Sequence, residues 1–476
     1  MVAPLIGRTV RRLRQEQGLT QQSLAARLGI SASYLNLIEH EQRAVTASLL
    51  IKLAETLQVD FAALSGSQER QLEASLREVF ADPLLDQPVA AADLAALATA
   101  SPAASRAVLA LYRALRVARE ESSGIALPSG RRILLPNEET RDAFHERSNH
   151  FPDIEAAAEA VSAHLPTAPA ERDHAIADRL RAVHGLHLHI GPLPGALRRY
   201  DPASRSLVLS EQLPRESQAF HMAFQLMLLE ARDEIEAQVA LIAPSSPEAG
   251  SMIRLGLLNY AAAAVLMPYE RMREAAHDER HDMEAVAARF GASFDQACQR
   301  LSSLQRTGAR GVPFFFLRVD PAGNVSKRFS AAGFPFARFG GSCPRWVVHG
   351  AFAQPGRIHV QVAALPDGAT FLCFARCVVG RAANWSEPPP THVVAMGCDV
   401  GHAEALAYAD GIDLARATVG IGLSCRLCDR EGCRSRAYPP LEHRLALDPL
   451  LASDSPYRFV AQRGHGAAGG VTPRGS

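Results

Sequence analysis

Lysine is nearly missing from this chain: of 50 basic residues in 476, the lysines are Lys52 and Lys327, and the rest are arginine. Basic and acidic residues balance at 50 each, so no global field draws the protein to nucleic acid or to a membrane, and any basic surface has to be local. No secretory leader is expected either. The start, MVAPLIGRTVRRLRQ, meets arginines before any apolar stretch of signal length, which points to a cytoplasmic protein. No uncharged apolar run reaches the ~20 residues that a membrane helix needs. The longest, LGLLNYAAAAVLMPY, reads as a buried helix, and no membrane partner is expected. Eight cysteines over this length, in a reducing compartment, argue against a disulfide framework and leave metal ligands or free buried thiols.

What is present is modular, because 476 residues exceed what one core supports. Residues 5–64 carry compact helical punctuation: Ile6, Val10 and Leu13 at helical spacing, then Gly18 as a stop. Thr20 caps a second helix with Leu24 and Leu28 inward, Gly29 turns the chain, and Ser31 caps a third with Leu35 and Ile38 inward. Thr46 starts a fourth. Residues 65–180 read as helical connector, broken at Pro83, Pro88 and Pro102, and as a candidate dimer element. Alternation in GLHLHI and RSLVLS, with turn residues 201–204 between, opens an α+β unit over 181–308 that continues as helices from about 216 to 306. A second α+β unit, 309–462, begins with a hairpin turning at Pro321 to Asn324, and WVVHGAF, RIHVQVAAL and TFLCFARCVVG read as further strands. The tail, 463–476, is low-complexity and expected to be disordered.

The third helix turns Ala32, Ser33, Tyr34, Asn36 and Leu37 outward beside the Ser31 cap, as a recognition helix in a major groove does. Gln21 and Gln22, with Arg43 and the Thr46 hydroxyl, are placed to reach phosphate oxygens. A plain four-helix bundle uses the same spacings. The stretch GLTQQSLAARLGISASYLNLIEHEQR, however, resembles the Cro/repressor class of helix-turn-helix domains, through its LTQ start, LAxxLGIS turn and LxxIExxxR run. That resemblance implies sequence-specific binding to a double-stranded DNA operator by a homodimer. Six arginines, at 8, 11, 12, 14, 27 and 43, stand against Glu39 and Glu41, so two modules are expected to be needed for tight binding.

In SQAFHMAFQLMLLE a zinc peptidase would place His-Glu-x-x-His, two imidazoles one turn apart with a carboxylate base between. Here His221 survives, Met222 stands at the base and Gln225 at the second ligand. One imidazole cannot assemble that site. The LRRYD and LVLSEQLP segments before it and NYAAAAVLMPYERM after it resemble the ImmA/IrrE-type metallopeptidase fold, which implies a retained fold without catalysis, and so no enzyme.

CRLCDREGC, residues 425–433, sets Cys425 and Cys428 at C-x2-C spacing with Cys433 close behind. Zinc or an iron–sulfur cluster wants a fourth ligand. Candidates are Cys343, Cys373, Cys377, Cys398 and, for zinc, His443. The absence of a local histidine favours an iron–sulfur cluster over zinc. GARGVPFFFLRVDPAGNVSKRFS, GSCPRWVVHGAFAQPGRI and GIGLSCRLCDREGCRSRAYPPL, with RDAFHERSNHFP earlier, are similar to the short-chain fatty acyl transcriptional regulators, which include regulators of methylcitrate-cycle and glyoxylate-bypass genes. This resemblance implies an acyl-CoA effector and a four-iron cluster on Cys425, Cys428 and Cys433, and marks Cys373 and Cys377 as incidental. Coenzyme A calls for cations and a stacking surface. Arg199, Tyr200, Tyr260, Tyr269, Arg318, Lys327 and Arg328 lie in family-like segments with those chemistries. Two other classes compete: a helix-turn-helix-fused metallopeptidase of the antirepressor type, which Met222 and Gln225 disfavour, and a regulator that senses redox through the cluster alone.

Overall fold

The computed structural model describes residues 7–40, 42–43, 45–57, 59, 67–82, 89–122, 136–337, 342–382, 384–440 and 443–460. The expected disordered tail, Ile6, Glu41 and the breaks at Pro83 and Pro88 lie outside the described residues. The architecture is multidomain: an all-α N-terminal unit, then two α+β units.

Four helices open the chain: α1 (Gly7–Glu16), α2 (Gln21–Leu28), α3 (Ala32–Glu39) and α4 (Ala47–Leu57). The Thr20 hydroxyl accepts from Ser23 N, Gly29 turns at φ 71°, and the Ser31 hydroxyl accepts from Tyr34 N, so the two caps and the left-handed turn fall where the sequence puts them. Val10, Leu24, Leu35, Leu53 and Leu57 are fully buried between the helices. At Gly7 a Cβ would lie 1.9 Å from the Ile38 carbonyl oxygen, so α1 meets α3 backbone to backbone.

The connector α5 (Ser67–Phe80), α6 (Ala91–Ala100) and α7 (Pro102–Ser122) closes a small core of Leu76, Val79, Leu94, Ala98 and Leu109. Polar contacts tie α5 to the units on either side. Glu69 pairs with Arg12 of α1 at 2.8 Å. The Gln71 side-chain amide donates to the Phe336 carbonyl and accepts from the Phe336 N–H, each at 3.0 Å.

The middle unit starts with α8 (Pro136–Glu146), α9 (Pro152–Ser162) and α10 (Pro169–Ala182), each with proline in its first turn. Strands β1 (His187–Gly191), β2 (Arg198–Asp201) and β3 (Ser206–Ser210) form a sheet in the order β1-β3-β2. The turn at 201–204 joins β2 to β3 antiparallel, while β1 runs parallel to β3 on its other side. Helices α11 (Arg215–Glu230), α12 (Arg232–Ile242), α13 (Pro247–Leu266), α14 (Tyr269–Asp278), α15 (Met283–Phe290) and α16 (Phe294–Leu301) follow. Among the described residues α13 alone is long and apolar enough to cross a membrane, yet 61% of its apolar window is buried inside the protein, as a core helix is.

The C-terminal sheet holds β4 (Phe315–Val319), β5 (Val325–Ser330), β6 (Ile358–Ala364), β7 (Thr370–Val379), β8 (Thr391–Asp399) and β9 (Thr418–Gly420) in the order β5-β4-β8-β7-β6-β9. Period-2 alternation splits its side chains. Phe316, Leu372, Phe374, Val394 and Met396 join the helices of the middle unit in one continuous core. Phe315, Leu317, Phe371, Cys373 and Ala395 face Phe334, Phe336 and Trp346 on the other side. The two α+β units thus share a core.

WVVHGAF, expected as a strand, is instead a short helix, α17 (Val347–Gly350), running into a 3-10 turn (Ala351–Ala353). Gln361 on β6 accepts from Val347 N and donates to Arg345 O, so its side chain supplies the backbone partners that a neighbouring strand would. The central strand β8 went unread. Its run HVVAMGC is buried on both faces and shows no alternation to detect.

Candidate functional site

On the N-terminal unit α3 presents Ser33 and Asn36 exposed, with Ala32, Tyr34 and Leu37 half-buried at the rim. Ser31, Gln22, Arg43 and Thr46 are exposed around it. Gln21 departs from the expected phosphate contact: its amide donates to Glu39 Oε2 at 2.8 Å and to Asn36 Oδ1 at 3.2 Å, and so joins α2 to α3. The Thr46 hydroxyl accepts from Leu49 N at 3.4 Å, as a cap for α4. Glu39, expected to oppose the arginines at the surface, is 2% exposed and receives Arg14 through Nε at 2.6 Å and Nη2 at 2.9 Å. Burial pushes its carboxyl up, but the hydrogen bonds from Arg14 and Gln21 outweigh that and hold it below the usual range. Arg14 and Glu39 cancel inside the module, and neither acts on a phosphate.

The cysteine-rich segment folds against the end of β6. Arg430 donates to the carbonyls of Ala364 (2.7 Å) and Ile421 (3.2 Å). Arg436, 3% exposed, gathers three loop carbonyls: Cys425 at 2.6 Å, Cys428 at 2.7 Å and Arg430 at 2.9 Å. Cys425, Cys428 and Cys433 line one small cavity, and Cys343, 85 residues before Cys428 in the sequence, lines it with them. Ala437 N donates to Cys425 Sγ at 3.4 Å, and a Cβ on Gly422 would sit 2.8 Å from Cys428 Sγ. Burial pushes the Cys428 thiol up, against the Arg430 N–H and the Arg436 charge, which pull it down. Other candidates go elsewhere: Cys373, Cys377 and Cys398 are buried on β7 and β8, and His443 pairs with Asp429 at 2.8 Å while stacking on Phe459 at 4.8 Å.

Four thiols, an N–H aimed at sulfur and two arginines beside them suit a thiolate-held metal or cluster, because the cations offset the ligand charge. Among the described residues no three metal-ligating groups are drawn together tightly enough to hold an ion as they stand. The cavity volume of about 10 Å³ is that of one water or one ion.

In the middle unit, His221 is half-buried while Met222 points into the core and Gln225 is fully buried. Arg198 reaches over from β2: its guanidinium carbon sits 3.8 Å from the centre of the Phe224 ring, and Nη1 donates to Gln225 Oε1 at 3.4 Å. Burial and then the Arg198 charge push the His221 imidazole down to about 4, so it is neutral near pH 7.

A larger cavity, about 260 Å³, lies where α13 and α16 meet β5; Phe220, Asn259, Tyr260, Gln299, Arg300 and Lys327 are among its walls. Lys327 Nζ donates to Gln299 Oε1 at 3.1 Å. Arg300, 1% exposed, binds Glu155 at 2.5 and 3.0 Å, and the Tyr260 hydroxyl donates to Glu155 at 2.5 Å. Of the expected ligand-binding side chains, Tyr260 and Lys327 line this cavity, and Arg318 stands beside it, 3.7 Å from the lining residue Asp295. The rest are not among its walls. Arg328 is held by the Ala337 carbonyl (2.7 Å) and Glu138 (3.8 Å), Tyr269 by Arg306 N (2.8 Å) and Ala309 O (3.1 Å), and Arg199 and Tyr200 belong to β2. Arg300 and Gln299 were missed, since polar residues on a short amphipathic helix carry no local signal of what they face.

Comparison with known proteins places these features. Family models match at residues 10–64 (helix-turn-helix), 182–302 (IrrE N-terminal-like domain) and 303–457 (short-chain fatty acyl coenzyme A regulator, C-terminal). The chain is 41% identical over 458 residues to the propionyl-CoA carboxylase regulator of Cereibacter sphaeroides, covering 95% of this chain and 98% of that protein. It is 39% identical over 464 residues to the HTH-type transcriptional regulator RamB of Mycobacterium tuberculosis, at 95% and 98% coverage. With PrpR of the same organism it shares 38% over 468 residues, at 96% of each. A solved structure of a Mycobacterium tuberculosis transcriptional regulator superposes with a TM-score of 0.66 at 40% identity, covering 68% of this chain and 99% of that one. A capped DNA-reading helix, an IrrE-like middle whose metal motif keeps one histidine, and a cysteine-lined C-terminal sheet, matched at this identity along nearly the whole length, have one reading: the chain belongs to the short-chain fatty acyl coenzyme A regulators, a family of helix-turn-helix transcriptional regulators.

Proposed function

We propose that this regulator binds its operator as a homodimer in the cytoplasm, controls genes of short-chain acyl metabolism, and takes a short-chain acyl-CoA as effector in the cavity beside Lys327. The observation that carries this reading is the composition of that cavity. Tyr260, Gln299 and Arg300 come from the IrrE-like unit and Lys327 from the C-terminal unit, so a ligand there bears on both. Its volume of about 260 Å³ suits a short acyl chain with part of a pantetheine arm. Lys327 donates to Gln299 and has the Asp295 carboxylate, another wall of the cavity, acting on its charge, which still leaves N–H groups for an anionic or carbonyl oxygen. Isothermal titration with acetyl-CoA and propionyl-CoA, followed by operator titration with and without the tighter ligand, tests it. Lys327→Met should weaken acyl-CoA binding at least tenfold, a loss of about 1.4 kcal/mol. Unchanged affinity sinks the assignment.

The middle unit is read as catalytically silent, since one imidazole and a buried glutamine leave no metal-bound water to make. In the C-terminal unit Cys425, Cys428 and Cys433 would hold an iron–sulfur cluster, with Cys343 as the fourth thiolate; zinc on the same donors is the alternative. Such a cluster supplies a charge that changes with redox state and iron supply. Protein prepared without oxygen should carry iron and labile sulfide and absorb near ~400 nm as thiolate-to-iron charge transfer does. Each Cys→Ser variant should lose them. About one zinc per chain with no labile sulfide would make the site structural.

A further inference from the structure

We propose that Arg198, Gln225 and His221 together form a carboxylate-binding site at the degenerate peptidase motif. The argument starts from hydrogen-bond inventory. A guanidinium has donors and no acceptor, so its contact with Gln225 fixes the amide with Oε1 toward Arg198. Gln225 Nε2 is then a donor left over, and it is fully buried with no partner among the described residues. Leaving such a group unmade is costly, and a native core tolerates it where a ligand completes it.

Charge makes the same demand. Arg198 has one long hydrogen bond at 3.4 Å and a stacking contact with Phe224, and no carboxylate pairs with it among the described residues. Burial alone lowers its pKa, to about 10, with no acidic side chain acting on it. A partly buried cation without a counter-ion is unfavourable. His221, one helical turn before Gln225, has no hydrogen bond among the described residues and packs edge-on against Phe220. As a neutral ring it adds an N–H donor and no charge.

One cation with two neutral donors matches a single negative charge carried on two coplanar oxygens, which is a carboxylate; a doubly charged phosphate would over-compensate the site. Where a zinc peptidase would carry its base and second histidine this chain has Met222 and Gln225, and a guanidinium lies against that glutamine. The carboxylate can belong to a small free acid or to the C-terminus of a peptide, and the two are separable by probe.

Thermal unfolding of the full chain at constant ionic strength is the test, with sodium acetate exchanged for sodium chloride, and acetyl-trialanine compared with its C-terminal amide. The parent protein should gain a saturable rise of roughly 2 °C with acetate, with the free-acid peptide, or with both, and none with chloride or the amide. Arg198→Met, whose stem still covers Phe224, should lose the response while melting no lower than the parent, because it removes an uncompensated charge. Arg198→Lys, which keeps the charge without the fork, should respond weakly and covers the case of a poorly folding Met variant. No response in the parent, or an equal response in Arg198→Met, overturns the site. This inference is independent of the acyl-CoA reading, whose cavity does not include Arg198.

Discussion

Replacing Glu155 by alanine strands Arg300 in the core that the two α+β units share. Both side chains are 1% exposed, and the change deletes the hydrogen bonds of 2.5 and 3.0 Å between them together with the acceptor of the Tyr260 hydroxyl. Arg300 keeps the Met267 carbonyl at 2.9 Å and the Ser303 hydroxyl at 3.1 Å, which solvate the guanidinium but do not neutralise it. Removing one partner of a buried pair costs about 3–5 kcal/mol. With an m-value of about 3 kcal/mol/M in urea, the unfolding midpoint should fall by roughly 1–1.7 M. Glu155→Leu with Arg300→Met removes both charges and leaves only the Tyr260 hydroxyl without its acceptor, so it should come back to within about 1–3 kcal/mol of the parent and stay above the single variant. The pH dependence has a definite sign. Burial pushes the Glu155 carboxyl up, but the Arg300 charge and the hydrogen bonds from Arg300 and Tyr260 hold it below its ordinary value. Its contribution is therefore complete above the unfolded glutamate pKa of about 4.3 and is lost as pH falls through the lower folded value. Urea titrations followed by circular dichroism at pH 7 and pH 4 measure all of this. A single-variant midpoint within about 0.3 M of the parent, or a double variant as weak as the single, refutes the reasoning.

At the DNA face, Ser33→Glu should abolish operator binding without loss of helix content, because it sets a carboxylate against the phosphate field; an unchanged gel-shift titration counts against α3 as the reading helix. Arg43→Ala should weaken all sequences alike and lower the salt slope by about one, read by anisotropy at several salt concentrations. At the cysteine loop, Gly422→Ala forces a methyl against Cys428 Sγ at 2.8 Å and should lower bound iron per chain several-fold in anaerobic elemental analysis, with the far-ultraviolet spectrum unchanged.

What the sequence made legible was what local chemistry decides. Thr20, Gly29 and Ser31 mark helix ends by capping and by positive φ, and the structure uses each of them so. The turns at Asp201 and Asp320 are likewise written in side chains that bond their own backbone. Long-range partners were not legible. WVVHGAF reads as a strand until Gln361, from another element, occupies its backbone. Glu39 counts as surface charge until Arg14 buries it. The cysteine spacing pointed to a shared centre, while the choice of Cys343 over Cys373 or His443 to line its cavity depends on how the loop docks on the end of β6. The Arg198 contact with Gln225 joins a strand to a helix 27 positions on, and no periodicity encodes it.

The Gln71 contact with Phe336 has a chemical consequence of its own. Phe336 offers one donor and one acceptor, and Gln71 answers both with one planar group. A primary amide can do that; a carboxylate of identical shape cannot, because it would turn an oxygen toward the Phe336 carbonyl in place of an N–H. The exchange of a single nitrogen for oxygen at Gln71, the change that spontaneous deamidation makes, therefore converts this attraction into repulsion without altering the volume of the side chain. Where the helix next to the DNA-reading module meets the aromatic segment beside Cys343, a contact between the two halves of the molecule rests on a side chain that chemical ageing can unlatch.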